Sequence, residues 1–395
     1  MLYSAFDVVP SPKGAGTHIA HFVAGLTRAG HEVVLVTPRA PGLPDEDVFQ
    51  GARHLRVGVP PGPGAARDFL HRALSFGEDV LAVAERLGPF DLAHFRALWS
   101  GLPLLLRREA LAAPGRARLA TLFEANSLAS VELPFHYPGL HGHALVDKLR
   151  RLERLLLHEV DAVVCVSRVT RAYLADQGAR AARIHVIPNG VDPAAFAAAP
   201  PAPLDGRPAE ALYLGTLADW QGLLSLVEAW PRVVARRPVR LRLVGRGRSR
   251  QRKELLRRIR KLGLEAHVSL EPAMPHDQVP GLIASSDLTL APLGYNERNV
   301  VQGCCPLKLI ESMACGRPIV ASNLPVVREL AREGREALLV PPDAPDALAA
   351  AVLRLVEDQR LRARLGRGGA RRARAEFTWE RAQSRLLDVY RELLG

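Results

Sequence analysis

Apolar positions along the chain follow two rhythms. Short apolar runs alternate with longer segments in which apolar residues return every three or four positions, the pattern of parallel strands covered on both faces by helices. The strand-like runs fall into two sets. The first holds an opening run before residue 10, HEVVLVT (31–37), the residues around 91–94, ARLATLFEA (117–125), DAVVCVS (161–167) and RIHVIPNGVD (183–192). The second holds EALYLGT (210–216), VRLRLVG (239–245), HVSLEP (267–272), DLTLAP (287–292), RPIVAS (317–322) and ALLVPP (337–342). Between them AAFAAAPPAPLDGRPAE (194–210) is rich in alanine and proline and has no period, so it reads as a linker. The expectation is an α/β chain of two Rossmann-like, doubly wound parallel-sheet domains joined near residue 195. Two helices stand out. In RGRSRQRKELLRRIRKLG (246–263), Leu255, Leu256, Ile259 and Leu262 share helical spacing with arginines between them. The tail FTWERAQSRLLDVYRELLG (377–395) offers Phe377, Leu386, Leu387, Val389, Tyr390 and Leu393 for burial.

Composition narrows the class. A chain of 395 residues with 48% hydrophobic and 24% charged positions is globular and too long for one core, so two domains are expected. No run reaches the roughly 18 consecutive apolar residues of a membrane span, and MLYSAFDVVPSPKG lacks the basic head and long apolar stretch of a signal peptide. A cytoplasmic location is the expectation. Cys165, Cys304, Cys305 and Cys315 follow neither a disulfide nor a zinc spacing, which points to reduced thiols and no metal site. A formal net charge of +12 attracts nucleic acid, anionic lipid and phosphorylated ligands alike. Only five of the 53 basic residues are lysines, a skew that reads as compositional habit and solvated helix faces. No aromatic residue interleaves the arginine-rich run 246–263, so the stacking partners of single-strand binding are missing and no nucleic-acid partner is expected.

In doubly wound sheets ligands settle beyond the carboxyl ends of the strands, so the loops there are the places to look. The first is PSPKGAGTHIAHFVAGL (10–26). Gly14, Ala15 and Gly16 precede a helix carrying Ile19, Phe22, Val23 and Leu26, with Thr17 near its cap. Small residues let backbone N–H groups reach an anion, and the helix N-terminus adds partial positive charge, with Lys13 alongside. A plain tight turn is the alternative. A second stretch, CCPLKLIESMACGRPIVASNLPVVREL (304–330), reads as a short helix with Lys308 and Glu311 three apart on one face, closed at Gly316. A carboxylate there can accept hydrogen bonds from a ribose diol and a lysine can neutralise phosphate. The alternative is an i,i+3 salt bridge on a surface helix.

At these residues the chain resembles retaining glycosyltransferase family 4, over essentially its whole length and in the expected order. The matching pieces are KGAGTHIAHFVAGLTRAGHEVVLVTP, VVCVSRVTRAYL, VIPNGVD, LYLGTLADWQGLLSLVEAW, LRLVGRGRSR and PLKLIESMACGRPIVAS. The resemblance implies a GT-B fold: an acceptor-side domain (1–195) and a nucleotide-sugar-binding domain (196–376) facing a central cleft, with the last helix (377–395) packing back on the first domain. It implies a nucleotide-sugar donor, UDP- or GDP-linked, and a carbohydrate or lipid-linked acceptor. Carried over by position, Glu311 matches the second glutamate of the family's paired motif and holds the ribose, with Lys308 and Leu309 beside it. Gly14, Ala15 and Gly16 match the glycine loop near the diphosphate, and Gly215 and Thr216 lie in the turn of LGTLADWQG, where the family also meets the diphosphate. Arg246 and Met274 match positions lining the nucleotide, for which a solvated arginine and a buried methionine are the alternatives. Asn189 is expected to shape a turn at the hinge.

The chain also departs from the family. Gly303 stands where the first glutamate of the pair is expected, Thr216 and Gln221 where an arginine and a lysine commonly meet the diphosphate, and Arg96 where many members have a histidine. Removing fixed positive charge from a leaving diphosphate raises the barrier, so Lys308, Arg246, Lys13 or Arg96 would have to substitute.

Membership implies retention by front-face displacement, the leaving diphosphate helping to deprotonate the acceptor, with no protein nucleophile or metal. Lys308, Arg96 and Glu124 are then the catalytic candidates, Arg96, Glu124 and Asn126 facing the sugar or acceptor. For Glu124 and Asn126 a strand-end hydrogen-bond pair is the alternative. Competing functions are a non-catalytic GT-B partner subunit or nucleotide-sugar sensor, a sugar-nucleotide epimerase, and a nucleic-acid binder. Peripheral contact with an anionic inner membrane face is a further expectation, through Phe69, Leu70, Leu74 and Phe76 near Arg67, His71 and Arg72. Packing of that segment on the N-terminal sheet is its alternative.

Overall fold

The computed structural model describes every residue except 12 and 61–65, and the side chains of residues 66 and 67 also lie outside the description. The chain divides into two compact units: Met1–Pro188 with Gln302–Cys304 and Ala382–Gly395, and Asn189–Val301 with Cys305–Arg381.

The first unit holds an eight-stranded sheet built from β1 (Leu2–Ser4), β2 (Val34–Pro38), β3 (Glu46–Phe49), β4 (Ala52–Val57), β5 (Leu92–Phe95), β6 (Ala120–Ala125), β7 (Ala162–Cys165) and β8 (Ile184–Val186), in the order β3-β4-β2-β1-β5-β6-β7-β8. All neighbours are parallel except β3, which turns back on β4 through Gln50 and Gly51 at positive φ. That charged edge hairpin gives no apolar run for a pattern reading to find, and its antiparallel charged edge suits a sheet rim. Central strands are buried on both faces, Leu92–Phe95 and Ala120–Ala125 throughout, which is why they read as largely apolar runs, His94, Thr121 and Glu124 being their polar members.

The helix Gly14–Arg28 buries Ile19, Phe22, Val23 and Leu26 as its spacing requires, but its N-cap is Lys13 rather than Thr17, which lies inside the first turn. Helix Ala66–Leu87 packs on the core of this unit: Phe76 is fully buried and Phe69 and Leu70 are half-buried against it. Of the four apolar residues considered for membrane contact only Leu74 is exposed, and Arg67 falls outside the described side chains. No helix among the described residues is long and apolar enough to cross a membrane.

The tail forms helix Trp379–Leu394, and from Ala382 onward it belongs to the first unit. Leu386, Val389 and Tyr390 are buried, while Leu387 and Leu393 are only partly so. Gln383 donates to the His21 carbonyl at 2.6 Å and accepts from Arg28 at 2.9 Å. A Cβ on Gly25 would come within 2.5 Å of Gln383, so this glycine sets how closely the two helices approach.

The second unit holds β9 (Ala209–Leu214), β10 (Val239–Val244), β11 (Val268–Glu271), β12 (Leu288–Ala291), β13 (Ile319–Ser322) and β14 (Ala337–Val340), all parallel, in the order β11-β10-β9-β12-β13-β14. Each coincides with a run of the second sequence set. Trp230, Leu226, Leu241 and Val352 centre its core. The arginine-rich segment forms helix Ser249–Lys261 with Leu255 and Ile259 buried; Leu256, expected to face the core, is exposed.

Candidate functional site

Chemistry-bearing side chains collect at the carboxyl ends of the strands in both units. In the first, Glu124 near the end of β6 is the centre. Oε2 accepts from the Tyr3 hydroxyl at 2.8 Å and from His94 Nε2 at 3.1 Å. Oε1 takes His18 Nε2 at 2.8 Å and short hydrogen bonds from Arg96 Nη1 and Asn126 Nδ2. The register explains the convergence: Tyr3 on β1 pairs with His94 on the adjacent β5, and β6 follows. Burial alone would push the Glu124 carboxyl up, but Arg96 and His18 outweigh it and hold the group well below the usual carboxylate range. Burial, followed by the Glu124 charge, raises Tyr3 well above its ordinary value, and burial lowers His94.

Since the carboxylate is ionised, His94 Nε2 donates to it and Nδ1 accepts from the Tyr390 hydroxyl at 2.7 Å. Glu124 is fully enclosed and bonded to Asn126, as in the strand-end pairing alternative. Its chemical contribution here is a fixed negative charge aligning Arg96, His18 and Asn126. Arg96 is itself nearly buried, with Nε 4.0 Å from Asp7 and without a hydrogen-bond acceptor among the described residues.

At the start of helix Gly14–Arg28 no side chain caps the first turn, and the amides of Gly14, Ala15 and Gly16 find no acceptor among the described residues. Gly14 is exposed, Ala15 half-buried and Gly16 buried, with Ser11 atoms 2.7 Å from where a Cβ would stand. Lys13 is exposed at the same end. An uncapped helix start with no acidic residue in its first turn attracts anions.

In the second unit, Gly215 and Gly245 immediately follow β9 and β10. A Cβ on Gly245 would meet the Gly215 carbonyl at 1.7 Å, and Gly215 has φ 145°, so both turns require glycine. Beside this turn the Tyr213 hydroxyl donates to the Thr216 carbonyl at 2.5 Å. Helix Leu307–Ala314 brings Lys308 to the same place, with Nζ 2.6 Å from Gln221 Oε1 and 4.1 Å from the centre of the Tyr213 ring.

Glu311, one turn on, is only 7% exposed, and its carboxylate makes no hydrogen bond or ion pair among the described residues. Burial pushes it up to about 7, the Lys308 charge opposing. The i,i+3 salt bridge is therefore absent. Leu309 is fully buried and its amide is donated to the Pro306 carbonyl at 3.1 Å. Arg246 is exposed and Met274 half-buried. Asn189 holds the Cys305 carbonyl at 2.7 Å, ahead of helix Leu307–Ala314.

Gly303 has a steric explanation. Its φ is 86°, and a Cβ would lie 2.7 Å from Thr170 Oγ1 and 2.9 Å from Ser167 Oγ, so no side chain fits where a first glutamate was expected. Tyr3, His18, His94 and Tyr213 were not singled out in the sequence. For Tyr3, His94 and Tyr213 the available signal was a polar or hydroxyl-bearing residue within an otherwise apolar strand; His18 instead lies on the buried face of helix Gly14–Arg28, beside Ile19 and Phe22.

The model for glycosyltransferase family 4 matches residues 12–195, and that for glycosyl transferases group 1 matches residues 208–358. A phosphatidyl-myo-inositol mannosyltransferase of Mycolicibacterium smegmatis is 29% identical, covering 99% of this chain and 92% of that protein. A glycogen synthase of Mycobacterium tuberculosis is 26% identical over 95% and 90% of the two. Among solved structures, the fold is like that of sucrose-phosphate synthase from Thermosynechococcus elongatus (TM-score 0.81, 21% identity, 100% and 99% covered). It is also like that of Anabaena HepE in complex with UDP and glucose (TM-score 0.75, 18% identity, 99% of each covered). Two parallel-sheet units in the expected order, the two domain models and these likenesses together lead to one assignment: the chain is a glycosyltransferase of the GT-B fold, a family 4 domain followed by a group 1 domain.

Proposed function

We propose that this glycosyltransferase moves a sugar from a UDP- or GDP-sugar to a carbohydrate or lipid-linked acceptor, with retention and without a metal. The observation that carries the reading is Glu311, a buried carboxylate without a hydrogen bond among the described residues, one helical turn from Lys308, which lies at a glycine turn. An unsatisfied buried carboxylate is costly unless a ligand completes it, and a vicinal diol supplies two donors at the right spacing. In this reading Glu311 takes the ribose, while Gly215, Thr216 and Lys308 meet the diphosphate. Exposed Arg246 and half-buried Met274 border the nucleotide on the 196–376 half. The Gly14–Gly16 amides add anion-binding donors, and Arg96, held by Glu124, presents its charge toward the sugar or acceptor on the 1–195 half. The UDP and glucose named for HepE support a uridine donor, and the mannosyltransferase's name supports a lipid-linked acceptor.

A thermal-shift panel of UDP-, GDP- and ADP-sugars tests the donor. Ligand at 100 times its dissociation constant stabilises by about 2.7 kcal/mol, and no shift with any of them would sink the reading. Lys308→Ala and Glu311→Ala should each cut turnover at least tenfold with the fold intact. Neutral Thr216 and Gln221 favour one competing reading, a non-catalytic nucleotide-sugar sensor, which would bind a sugar nucleotide but transfer nothing from it.

A further inference from the structure

Lys308 reaches the glycine turn from a different element, so something must hold its flexible ammonium there. Four groups of the second unit converge on that point. Gln221, in the short turn Asp219–Gln221 after β9, accepts from Lys308 Nζ through Oε1 at 2.6 Å. Its Nε2 donates to Thr216 Oγ1 at 3.4 Å, so one amide spans the lysine and the turn residue. The Tyr213 ring faces Nζ at 4.1 Å, and its hydroxyl ties down the Thr216 carbonyl. Gly215 leaves the space: a Cβ there would stand 2.9 Å from Nζ.

Gln221 is 9% exposed, and its partners are neutral apart from Lys308. A neutral amide and an aromatic face hold an ammonium without cancelling its charge, whereas a carboxylate at the same place would neutralise it.

We propose that Gln221 is a positioning residue that parks the Lys308 ammonium over the Gly215–Thr216 turn, so that helix Leu307–Ala314 supplies the cation for the donor diphosphate. The inference rests on the nucleotide-sugar reading. Gln221 acts through Lys308, so its loss disorders the charge and leaves nucleoside contacts alone. A carboxylate at position 221 keeps the geometry and removes the charge. Exchanging the two residues returns a cation to the turn from the other side.

The test is calorimetric binding of UDP and GDP, with uridine and guanosine as phosphate-free controls, to the whole protein and to Gln221→Met, Gln221→Glu, Lys308→Gln and the double exchange Gln221→Lys with Lys308→Gln. Circular dichroism and unchanged melting check that each variant folds. The expected result is a three- to tenfold loss of diphosphate affinity in Gln221→Met and at least tenfold in Gln221→Glu and Lys308→Gln. Nucleoside binding should be unchanged, and the exchange should recover to within about threefold of the parent. Parent-like binding by folded Gln221→Met and Gln221→Glu would overturn the positioning role alone. Failure of the parent protein to bind either diphosphate would overturn the donor reading and this inference with it.

Discussion

Glu311 is a carboxyl with too little around it. Its ordinary value is 4.5, and burial raises it to about 7. The native state therefore keeps its proton over a window in which the unfolded chain has released it. That favours the native state fully below about pH 4.5, and the advantage is lost as pH rises through about 7. Glu311→Gln has no proton to lose, so between pH 5 and pH 8 it should gain on the parent by up to ~3 kcal/mol, read from urea unfolding at the two values. An identical difference at both would show that the carboxyl is not held protonated. Glu124 is the opposite case, equally buried but surrounded by donors, and ionised throughout. Both glutamates are legible as candidates from sequence, yet nothing local distinguishes them. The difference is the number of donors that remote residues bring.

At the scale of elements, glycines decide which segments can approach. Gly303 combines positive φ with contact against the start of helix Arg168–Asp176, where Ser167 caps Thr170 at 3.0 Å. Gly303→Ala should cost about 1–3 kcal/mol in chemical unfolding, from the strained backbone and the overpacking together. An unchanged midpoint would mean that the segment can shift. The sequence shows that a glycine stands where the family has glutamate. Only packing shows that the position excludes every side chain, because the residues it would strike lie more than 130 positions earlier. Strand runs were legible for the reason opposite to the hairpin Glu46–Val57: strands buried on both faces are largely apolar, whereas the edge strand Glu46–Phe49 alternates charged and apolar residues at the rim.

At the scale of the whole molecule, the tail helix closes the first unit by tying Tyr390 to His94 and, through it, to Glu124. Tyr390→Phe leaves the ring packing but strands a buried imidazole nitrogen, so it should destabilise by about 1–3 kcal/mol in unfolding followed by near-ultraviolet circular dichroism. A neutral effect would reduce that hydrogen bond to ornament. The alternation of apolar runs and amphipathic segments pointed, without coordinates, to the two sheets of mostly parallel strands and to the tail helix. Those features are set by local period and burial, which neighbouring residues encode. What the tertiary structure alone decided is which polar groups end up paired. Lys308 turned from Glu311 toward Gln221 and Tyr213, Glu124 gathered four hydrogen-bond donors with His18 beside them, and Leu256 faced outward. Apart from Asn126, two positions from Glu124, these pairings join residues tens to more than a hundred positions apart, which the strand order and the helices packed on each sheet bring within reach.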